Sequence, residues 1–221
     1  MLICRQGNGH YLGGTNNQDY CYAEKNLKII ADGCSQGTCS EVGTRLFCQL
    51  FSTLKERFDI NDFEKNVEKI FSKIIHLYSE ASSDEMAEFI SNNMFFTILA
   101  CFELEDKFVV KYIGDGYIIT VNTNNNISYI RLNYGKFPPY FAYNILQTKA
   151  YEQTLKFKTF EFDKKYFKNV GLATDGIAPI VEKKIADDVT PILLGKDSKY
   201  SIEGIIKSNQ NSFFDDVTIL M

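Results

Sequence analysis

Short apolar runs of strand length occur in two groups along this chain, and two segments with helical periodicity separate the groups. The runs before the helical segments are LICR, YCYAE and LKIIA. Those after them are MFFTILACFEL, KFVVKYIG, YIITV, ISYIRL, LKFKTFEF, VGLATDG and DVTILM. This order lacks the strand–helix alternation of a parallel sheet. It predicts an α+β fold, an αββα sandwich in which helices lie outside two packed antiparallel β-sheets.

Apolar residues spaced three or four positions apart mark the helical segments. In the first segment Ser40 is the predicted N-cap, and the predicted apolar stripe is Val42, Leu46, Leu50 and Leu54. The stripe of the second segment is Phe63, Val67, Ile70, Phe71, Ile74, Ile75 and Tyr78. Two shorter helices are predicted at residues 84–90 and around the isoleucines at 202, 205 and 206.

The composition predicts one domain, residues 1–221, with a large core, because 45% of the residues are hydrophobic and no linker or repeat divides the chain. The net charge of −4, without a basic cluster, argues against a nucleic-acid partner. No apolar run has the length of a membrane span, and the first residues lack the pattern of a signal peptide. We therefore expect a cytoplasmic protein without a membrane partner, whose six cysteines are free thiols.

Acidic residues stand at the ends of several apolar runs. Asp32, Asp115 and Asp175 adjoin runs and are each followed by glycine, Asp19 precedes YCYA, and an Asp-Asp pair at 215–216 precedes VTILM. Carboxylates that share a site repel each other, so converging loops would need a cation. Oxygen ligands without nearby His or paired Cys favour Mg²⁺ or Mn²⁺ over zinc, and two such ions about 4 Å apart could hold a hydroxide and clamp a phosphate. At each position the alternative is a turn, because Asp-Gly is a common turn dipeptide.

Five short motifs that contain these acids follow one another in a characteristic order: Asn17-Gln18-Asp19, Ala31-Asp32-Gly33, Gly114-Asp115-Gly116, Ala173-Thr174-Asp175-Gly176 and Asp215-Asp216-Val217-Thr218. The series resembles that of the type 2C, metal-dependent serine/threonine protein phosphatases, and it is most similar to the compact bacterial branch. The resemblance extends from Gly9 to the last residue. It implies a four-layer αββα sandwich with a dinuclear Mn²⁺ or Mg²⁺ centre at one end.

The resemblance also implies roles for the motif residues. Asp32 would bridge the two ions, and the carbonyl of Gly33 would bind the second. Asp175 and Asp215 would complete the coordination of the first ion. The three acids 32, 175 and 215 would be the catalytic set, because the reaction implied is attack of a metal-bound hydroxide on a phosphomonoester.

The resemblance assigns the remaining motif residues to supporting positions. Asp19 would support the second ion through water, since the neighbouring position that can be glutamate in relatives is Gln18 here. Asp115 would help to hold a third, weaker ion. Asp216 and Thr174 would orient the metal ligands without binding an ion themselves.

The chain departs from the family pattern where substrate binds. Relatives often carry an arginine a few residues before the Asn-Gln-Asp triplet, and this chain has Gly13, Gly14 and Thr15 there. The missing guanidinium removes a bidentate contact to phosphate. Position 34, which is histidine in some relatives, is Cys34.

Two other residues are candidates for substrate contact. His10, within GNGHYLGG, could reach the phosphate or act as a general acid, and the alternative is a surface turn. Tyr140 lies in YGKFPPYFAYNI, where relatives carry a flap beside the active site. It could line a substrate groove or simply pack onto the sheet.

The first functional hypothesis is a monomeric Mn²⁺- or Mg²⁺-dependent phosphatase acting on phosphoserine or phosphothreonine in proteins, with a serine/threonine kinase as the expected partner. The second is a non-catalytic domain that binds phosphoproteins, which the missing arginine suggests. The third is a hydrolase of a small phosphorylated metabolite.

Overall fold

The computed structural model of the protein describes residues 1–77, 80–132, 138–146, 155–182, 185–196 and 201–221. The strands are β1 Leu2–Arg5, β2 Tyr20–Glu24, β3 Leu27–Gly33, β4 Phe96–Glu103, β5 Lys107–Ile113, β6 Gly116–Asn122, β7 Ile127–Leu132, β8 Lys158–Asp163, β9 Phe167–Ala173 and β10 Val217–Leu220. The α-helices are α1 Asn8–Gly13, α2 Ser40–Ser52, α3 Phe63–His76, α4 Ser83–Asn93, α5 Tyr143–Leu146, α6 Ala178–Glu182, α7 Ala186–Leu193 and α8 Ile202–Ser208.

The strands form two five-stranded sheets, and every pair of neighbouring strands is antiparallel. The first sheet has the order β1-β10-β9-β6-β7, and the second has the order β2-β3-β4-β5-β8. Each sheet is apolar on both faces, because one face packs on the other sheet and the opposite face packs on helices. The α+β sandwich predicted from the order of the runs is confirmed.

Strand β3 shows how the alternation of side chains builds the layers. Ile30 belongs to the core between the two sheets, together with Leu99 of β4 and Leu172 of β9. Its neighbours Ile29 and Ala31 point to the opposite face and pack against α2 and α3. Helices α6, α7 and α8 cover the outer face of the other sheet. The four layers are therefore helix, sheet, sheet and helix.

Phenylalanine side chains dominate the contact between α2, α3 and the second sheet. The ring of Phe47 on α2 lies 6.1 Å from that of Phe71 on α3 and 5.5 Å from that of Phe96 on β4, and the rings of Phe71 and Phe96 are 5.4 Å apart. All three side chains are almost completely buried. Close aromatic pairs of this kind contribute beyond the area that they bury, so this cluster anchors the helical layer.

The predicted face of α2 is partly wrong, whereas that of α3 is confirmed. On α2 the predicted Leu46 and Leu50 are partly buried and pack against the core. Val42 is 41% exposed, and Leu54 is buried but lies beyond the end of the helix. The buried residues of α2 are instead Ser40, Gly43, Thr44, Phe47, Cys48 and Phe51. Ser40 is not the cap but the first helical residue, and its hydroxyl donates to the carbonyl of Cys34 at 3.1 Å. On α3 the predicted residues from Phe63 to Ile74 are buried, and Tyr78 lies outside the described residues.

The reason for the difference on α2 is close packing. A Cβ on Gly43 would lie only 1.8 Å from the carbonyl oxygen of Asn93, at the end of α4. Small residues on this face let the two helices approach, and the large aromatic rings fill the space below them. Counting aliphatic residues at helical spacing overlooks a face made from small and aromatic side chains.

Helix α1 also differs from the sequence-based expectation, since the glycine-rich segment around His10 was expected to form a turn. Its conformation is stabilised from the C-terminal segment: the amides of Asn8 and Gly9 donate to the carbonyls of Phe213 and Phe214, both at 2.9 Å. In the part of the chain that the structure describes, no helix combines the length and the apolar character that crossing a bilayer requires.

We expect Gly43→Ala to lower the free energy of unfolding by about 1–3 kcal/mol, because the new methyl group forces α2 away from α4. Gly13→Ala is the matched control, since a Cβ there meets nothing nearer than the Thr15 hydroxyl at 3.7 Å. Urea unfolding of both variants measures the difference. Equal stability of Gly43→Ala and the unmodified protein would show that the helices do not approach this closely.

Candidate metal centre

The register of the first sheet brings three of the acidic loops to one end of the sandwich. Ala173, the last residue of β9, lies opposite Tyr117 near the start of β6 and opposite Ile219 near the start of β10. Asp175 therefore leaves β9 where Asp115 enters β6 and Asp215 enters β10. Antiparallel pairing alone gives this result, since the end of one strand meets the start of its neighbours.

The second sheet places two more acids at its own end in the same way. Tyr20, the first residue of β2, lies opposite Ala31, so Asp19 and Asp32 are neighbours across the pair. Asp32 in turn lies opposite Thr97 of β4. Asp19 is buried and Asp32 is half-buried. The predicted bridging acid and the predicted supporting acid thus come from adjacent strand ends.

Electrostatic coupling shows that these two groups of acids share one site. Burial raises the pKa of Asp32 well above its ordinary value, and the charges of Asp19, Asp175, Asp215 and Asp115 raise it further. Burial and the charges of Asp215 and Asp115 also raise the pKa of Asp175, to about 7. Four carboxyl groups therefore lie within electrostatic reach of Asp32 at one end of the sandwich.

This arrangement fits a divalent cation. The Oδ2 atom of Asp19 is buried and has no hydrogen-bond partner among the described residues. Burial and the charge of Asp216 raise the pKa of this carboxyl group. The ligand set is made of oxygen atoms, which Mn²⁺ and Mg²⁺ accept. A cation would remove the repulsion that raises the pKa values and would give the unpaired oxygen a partner.

The acids nevertheless do not converge on a single point. Over the residues that the structure describes, three potential ligand atoms from His, Cys, Asp or Glu lie within 4.8 Å of one another only at His10, Asp215 and Asp216. Asp32, Asp175 and Asp215 therefore do not bring their carboxylate oxygens into a group of this size.

Asp216 connects the acidic end to the N-terminal segment. Its Oδ1 accepts a hydrogen bond from the Gly7 amide at 2.7 Å, and its Oδ2 accepts one from the Gln18 amide at 2.6 Å. The Nδ1 atom of His10 lies 2.8 Å from Oδ2. The carboxylate is buried, so these partners offset the cost of removing it from water.

Thr174 and Gln18 hold the loops next to these acids. The Thr174 hydroxyl accepts from the Thr218 amide at 3.0 Å and donates to the Asp216 carbonyl at 3.3 Å. The Gln18 side chain donates to the Gly37 carbonyl at 3.4 Å, and the backbone carbonyl of Gln18 accepts from the Thr44 hydroxyl at 2.9 Å. Both residues were predicted to support the ligands, and both connect motifs that are far apart in the sequence.

The two predicted substrate-contacting residues lie in different parts of the structure, one on α1 and the other beside a cavity. His10 is half-buried on α1. Tyr140 is buried and stacks on Phe95 at 5.5 Å, and both line a cavity of about 550 Å³ together with Cys34 and Tyr143. Burial and the Cys34 thiol raise the pKa of Tyr140. The first part of its predicted flap, residues 134–137, lies outside the described residues.

Arg131 is a residue near the acids that the sequence reasoning missed. Its guanidinium group lowers the pKa of both Asp115 and Asp175, against the stronger effect of burial. Arg131 lies on β7 opposite Tyr117, and its guanidinium group lies 3.6 Å from the carboxylate of Glu182. The hairpin of β6 and β7 could have revealed this residue. Its register places Arg131 beside the start of β6, and Asp115 immediately precedes that strand.

Comparisons with known proteins agree with the fold and the acidic site described above. The sequence profile of the family described as protein phosphatase 2C matches residues 6–200. None of the curated proteins matches the chain significantly. Among the solved structures, 105 chains match it.

The serine/threonine phosphatase Stp1 from Staphylococcus aureus is 17% identical, with a TM-score of 0.65, over 99% of this chain and 92% of that one. The catalytic domain of the serine threonine protein phosphatase PstP, solved with two manganese ions, is 13% identical, with a TM-score of 0.66, over 99% and 94%. PppA, a regulatory component of T6SS in Pseudomonas aeruginosa, is 12% identical, with a TM-score of 0.66, over 99% and 94%. Identities this low establish a shared fold.

The raised pKa of Asp175 predicts how pH affects the metal-free protein. The carboxyl titrates near pH 7 when folded and near pH 4 when unfolded, so the folded state binds more protons between these values. Its contribution therefore lowers the free energy of unfolding as pH rises from about 4 to about 7, and remains constant above. We expect the loss in chelator-treated protein, and we expect Mn²⁺ at pH 8 to reverse it.

Urea unfolding at pH 5 and pH 8, with EDTA and with Mn²⁺, measures this effect. Asp175→Asn is the control, because it removes the titrating group and should reduce the pH dependence. Identical pH dependence of the two metal-free proteins would contradict a shifted Asp175.

Proposed function

The chain belongs to the protein phosphatase 2C family, and we propose that it removes phosphate from phosphoserine and phosphothreonine in proteins with the help of bound Mn²⁺ or Mg²⁺. The observation that carries this proposal is the gathering of Asp32, Asp175 and Asp215 at one end of the sandwich, within electrostatic reach of each other. A phosphomonoester is a suitable substrate for such a site, because divalent cations clamp its oxygens.

The positions of the strand ends support these ligand roles. Asp32, at the end of β3 in the second sheet, would hold both ions, and the adjoining Gly33 carbonyl would hold one of them. Asp175 and Asp215 would hold the other ion from the first sheet. When bound, the pair of ions supplies a hydroxide near neutral pH and neutralises charge on the phosphate.

The other acids act around this pair. Asp19 would support the ion nearest the second sheet through water, and its unpaired Oδ2 would accept the hydrogen bond from that water. Asp115 precedes β6, where it would hold a third and weaker ion. Asp216 binds backbone amides instead of metal, so its role is to position Gln18 and the N-terminal segment.

Arg131 supplies the positive charge that the missing arginine would provide. Its guanidinium group is 61% exposed and interacts with Asp115 and Asp175, so it can swing toward a phosphate bound between them. His10 lies beside Asp215 and Asp216, with its Nδ1 atom 2.8 Å from Oδ2 of Asp216. Both residues are candidates for contact with the phosphate.

The cavity beside Tyr140 suits the peptide that carries the phosphate. Its walls combine the rings of Phe95, Tyr140 and Tyr143 with polar groups of Ser35 and Asn92. It adjoins Cys34, two residues after Asp32, so a chain held there places a phosphorylated side chain at the metal centre. We propose that the partners are the substrate protein and the serine/threonine kinase that phosphorylates it. We also propose that residues 1–221 form a single phosphatase domain and that the enzyme is monomeric and cytoplasmic.

The missing arginine also supports a second candidate, a non-catalytic domain that binds phosphoproteins. Turnover of p-nitrophenyl phosphate with Mn²⁺, abolished by EDTA, would exclude it. A phosphopeptide assay then separates a protein phosphatase from a phosphatase of small metabolites, because only the former gains activity from contacts in the cavity beside Tyr140.

We expect Asp32→Ala and Asp175→Ala each to lower phosphopeptide turnover by at least about 100-fold, since each loses a ligand worth several kcal/mol to the metal centre. The metal-free variants should be at least as stable as the unmodified protein, because one repelling charge is gone. The exposed Glu68 on α3 gives the control Glu68→Ala, which should retain full turnover. Retention of turnover by either aspartate variant would refute the assignment.

We expect Arg131→Ala to raise KM for p-nitrophenyl phosphate roughly 10-fold, the effect of losing a charged hydrogen bond, with a smaller change in kcat. Arg5→Ala is the matched control, because Arg5 also forms an exposed ion pair with a glutamate, Glu203 at 3.0 Å. Steady-state kinetics at saturating Mn²⁺ measure both variants. An unchanged KM in Arg131→Ala would mean that another group binds the phosphate.

A further inference from the structure

Thr97 is a polar side chain in the buried, apolar part of strand β4. The strand has the sequence FTILACFE, and its residues from Phe96 to Phe102 are buried. Thr97 is 3% exposed, and its hydroxyl has no hydrogen-bond partner among the described residues. A buried hydroxyl without a partner costs free energy, and a valine of nearly the same shape would avoid that cost. The unpaired hydroxyl therefore indicates a role other than folding.

The register of the second sheet places this side chain beside Asp32. Thr97 lies directly opposite Asp32 in the antiparallel pair of β3 and β4. Two residues along the same pair, Ile30 and Leu99 also lie opposite each other, and both belong to the core between the sheets. Since side chains alternate along a strand, Asp32 and Thr97 point to this same side. Directly opposed residues have Cβ atoms about 5 Å apart, so rotation of the side chains can bring the hydroxyl to the carboxylate.

The backbone of Gly114 packs against the Thr97 side chain. Gly114 has a φ angle of +108°, and a Cβ there would lie 2.4 Å from the Cβ of Thr97 and 2.5 Å from its methyl carbon. Gly114 immediately precedes Asp115. Thr97 is therefore packed between the two segments that carry Asp32 and Asp115, at the acidic end of the sandwich.

A hydroxyl at this position suits an aspartate that binds metal. An ionised carboxylate is only an acceptor, with about four lone-pair sites on its two oxygens. Bonds to two ions would leave further sites for a hydrogen bond, and carboxylates that bind metal are usually hydrogen-bonded themselves. A threonine hydroxyl can donate this bond because its hydrogen rotates, and it brings no charge that would repel a cation.

We propose that Thr97 is a positioning residue of the metal centre, whose hydroxyl donates a hydrogen bond to the Asp32 carboxylate when the ions are bound. The hydroxyl then gains a charge-assisted hydrogen bond, which is stronger than a bond between neutral groups. Metal binding and the pairing of this hydroxyl therefore favour each other. The inference rests on the proposed role of Asp32 as a metal ligand, and it is independent of which phosphorylated substrate the site accepts.

Titration calorimetry with Mn²⁺ alone tests this role. Thr97→Val removes the hydroxyl and keeps the branched shape, and we expect its Kd for Mn²⁺ to rise at least about 10-fold, the effect of losing a group that orients a metal ligand. Thr97→Ser keeps the hydroxyl and should bind Mn²⁺ as the unmodified protein does. An equal Kd for Thr97→Val and the unmodified protein would overturn the inference.

Thr120→Val is the matched control for the loss of a buried hydroxyl. Thr120 is also 3% exposed, but its hydroxyl has a partner, the Ser128 carbonyl at 3.5 Å. It lies four residues beyond Gly116, the first residue of β6, and so away from the strand end that Asp115 precedes. Its substitution should leave the Kd for Mn²⁺ unchanged. An equal rise in both valine variants would overturn a specific role of Thr97.

Urea unfolding in EDTA distinguishes positioning from a structural role. The Thr97 hydroxyl is unpaired in the structure, so we expect metal-free Thr97→Val to unfold at the same urea concentration as the unmodified protein or at a higher one. A lower midpoint would show that the hydroxyl already stabilises the metal-free fold and would overturn the inference.

The unmodified protein separates this inference from the proposed function. If it does not bind Mn²⁺, the metal centre and the role of Thr97 fail together. If it binds Mn²⁺ with the expected dependence on Thr97 but hydrolyses neither p-nitrophenyl phosphate nor phosphopeptide, the proposed function fails while the positioning role stands.

Discussion

Mutual repulsion of carboxylates is the constraint on which this structure depends. The antiparallel register of both sheets places acids from separate strand ends at one end of the sandwich, where burial and neighbouring charges raise the pKa values of Asp32 and Asp175. A protein core does not tolerate such a cluster without compensation. This set of oxygen ligands favours divalent cations, which would offset the repulsion between the carboxylates. A pair of such cations also binds phosphate, so the acidic cluster is the basis of the proposed activity.

The loops that carry the acids are held together by close backbone contacts. A Cβ on Gly176 would lie 1.9 Å from the carbonyl oxygen of Asp216, so the turn after Asp175 packs directly against the loop before β10. Asp216 in turn accepts the amides of Gly7 and Gln18. The glycine that follows Asp175 is therefore required by packing. Through its two backbone partners, Asp216 fixes the positions of the segments next to the acids.

Much of the fold could be predicted from the sequence, because strand residues alternate strictly between two apolar faces. The runs LICR, YCYAE and ISYIRL have the bounds of β1, β2 and β7. The face of α2 was not predictable from aliphatic spacing, since its contact depends on Gly43 lying against another helix. The helix around His10 depends on backbone hydrogen bonds from residues more than two hundred positions away, which no local pattern contains.

The acidic residues of the site were found because apolar runs that end in Asp-Gly are visible locally, whereas the contribution of Arg131 requires the hairpin register.

The central claim is that the space between Asp32, Asp175 and Asp215 holds a pair of cations. Anomalous diffraction from a crystal soaked in Mn²⁺ tests it most directly. The account predicts two manganese peaks about 4 Å apart, with the Asp32 carboxylate between them. A single peak at His10, Asp215 and Asp216, or no peak near Asp32, would contradict it.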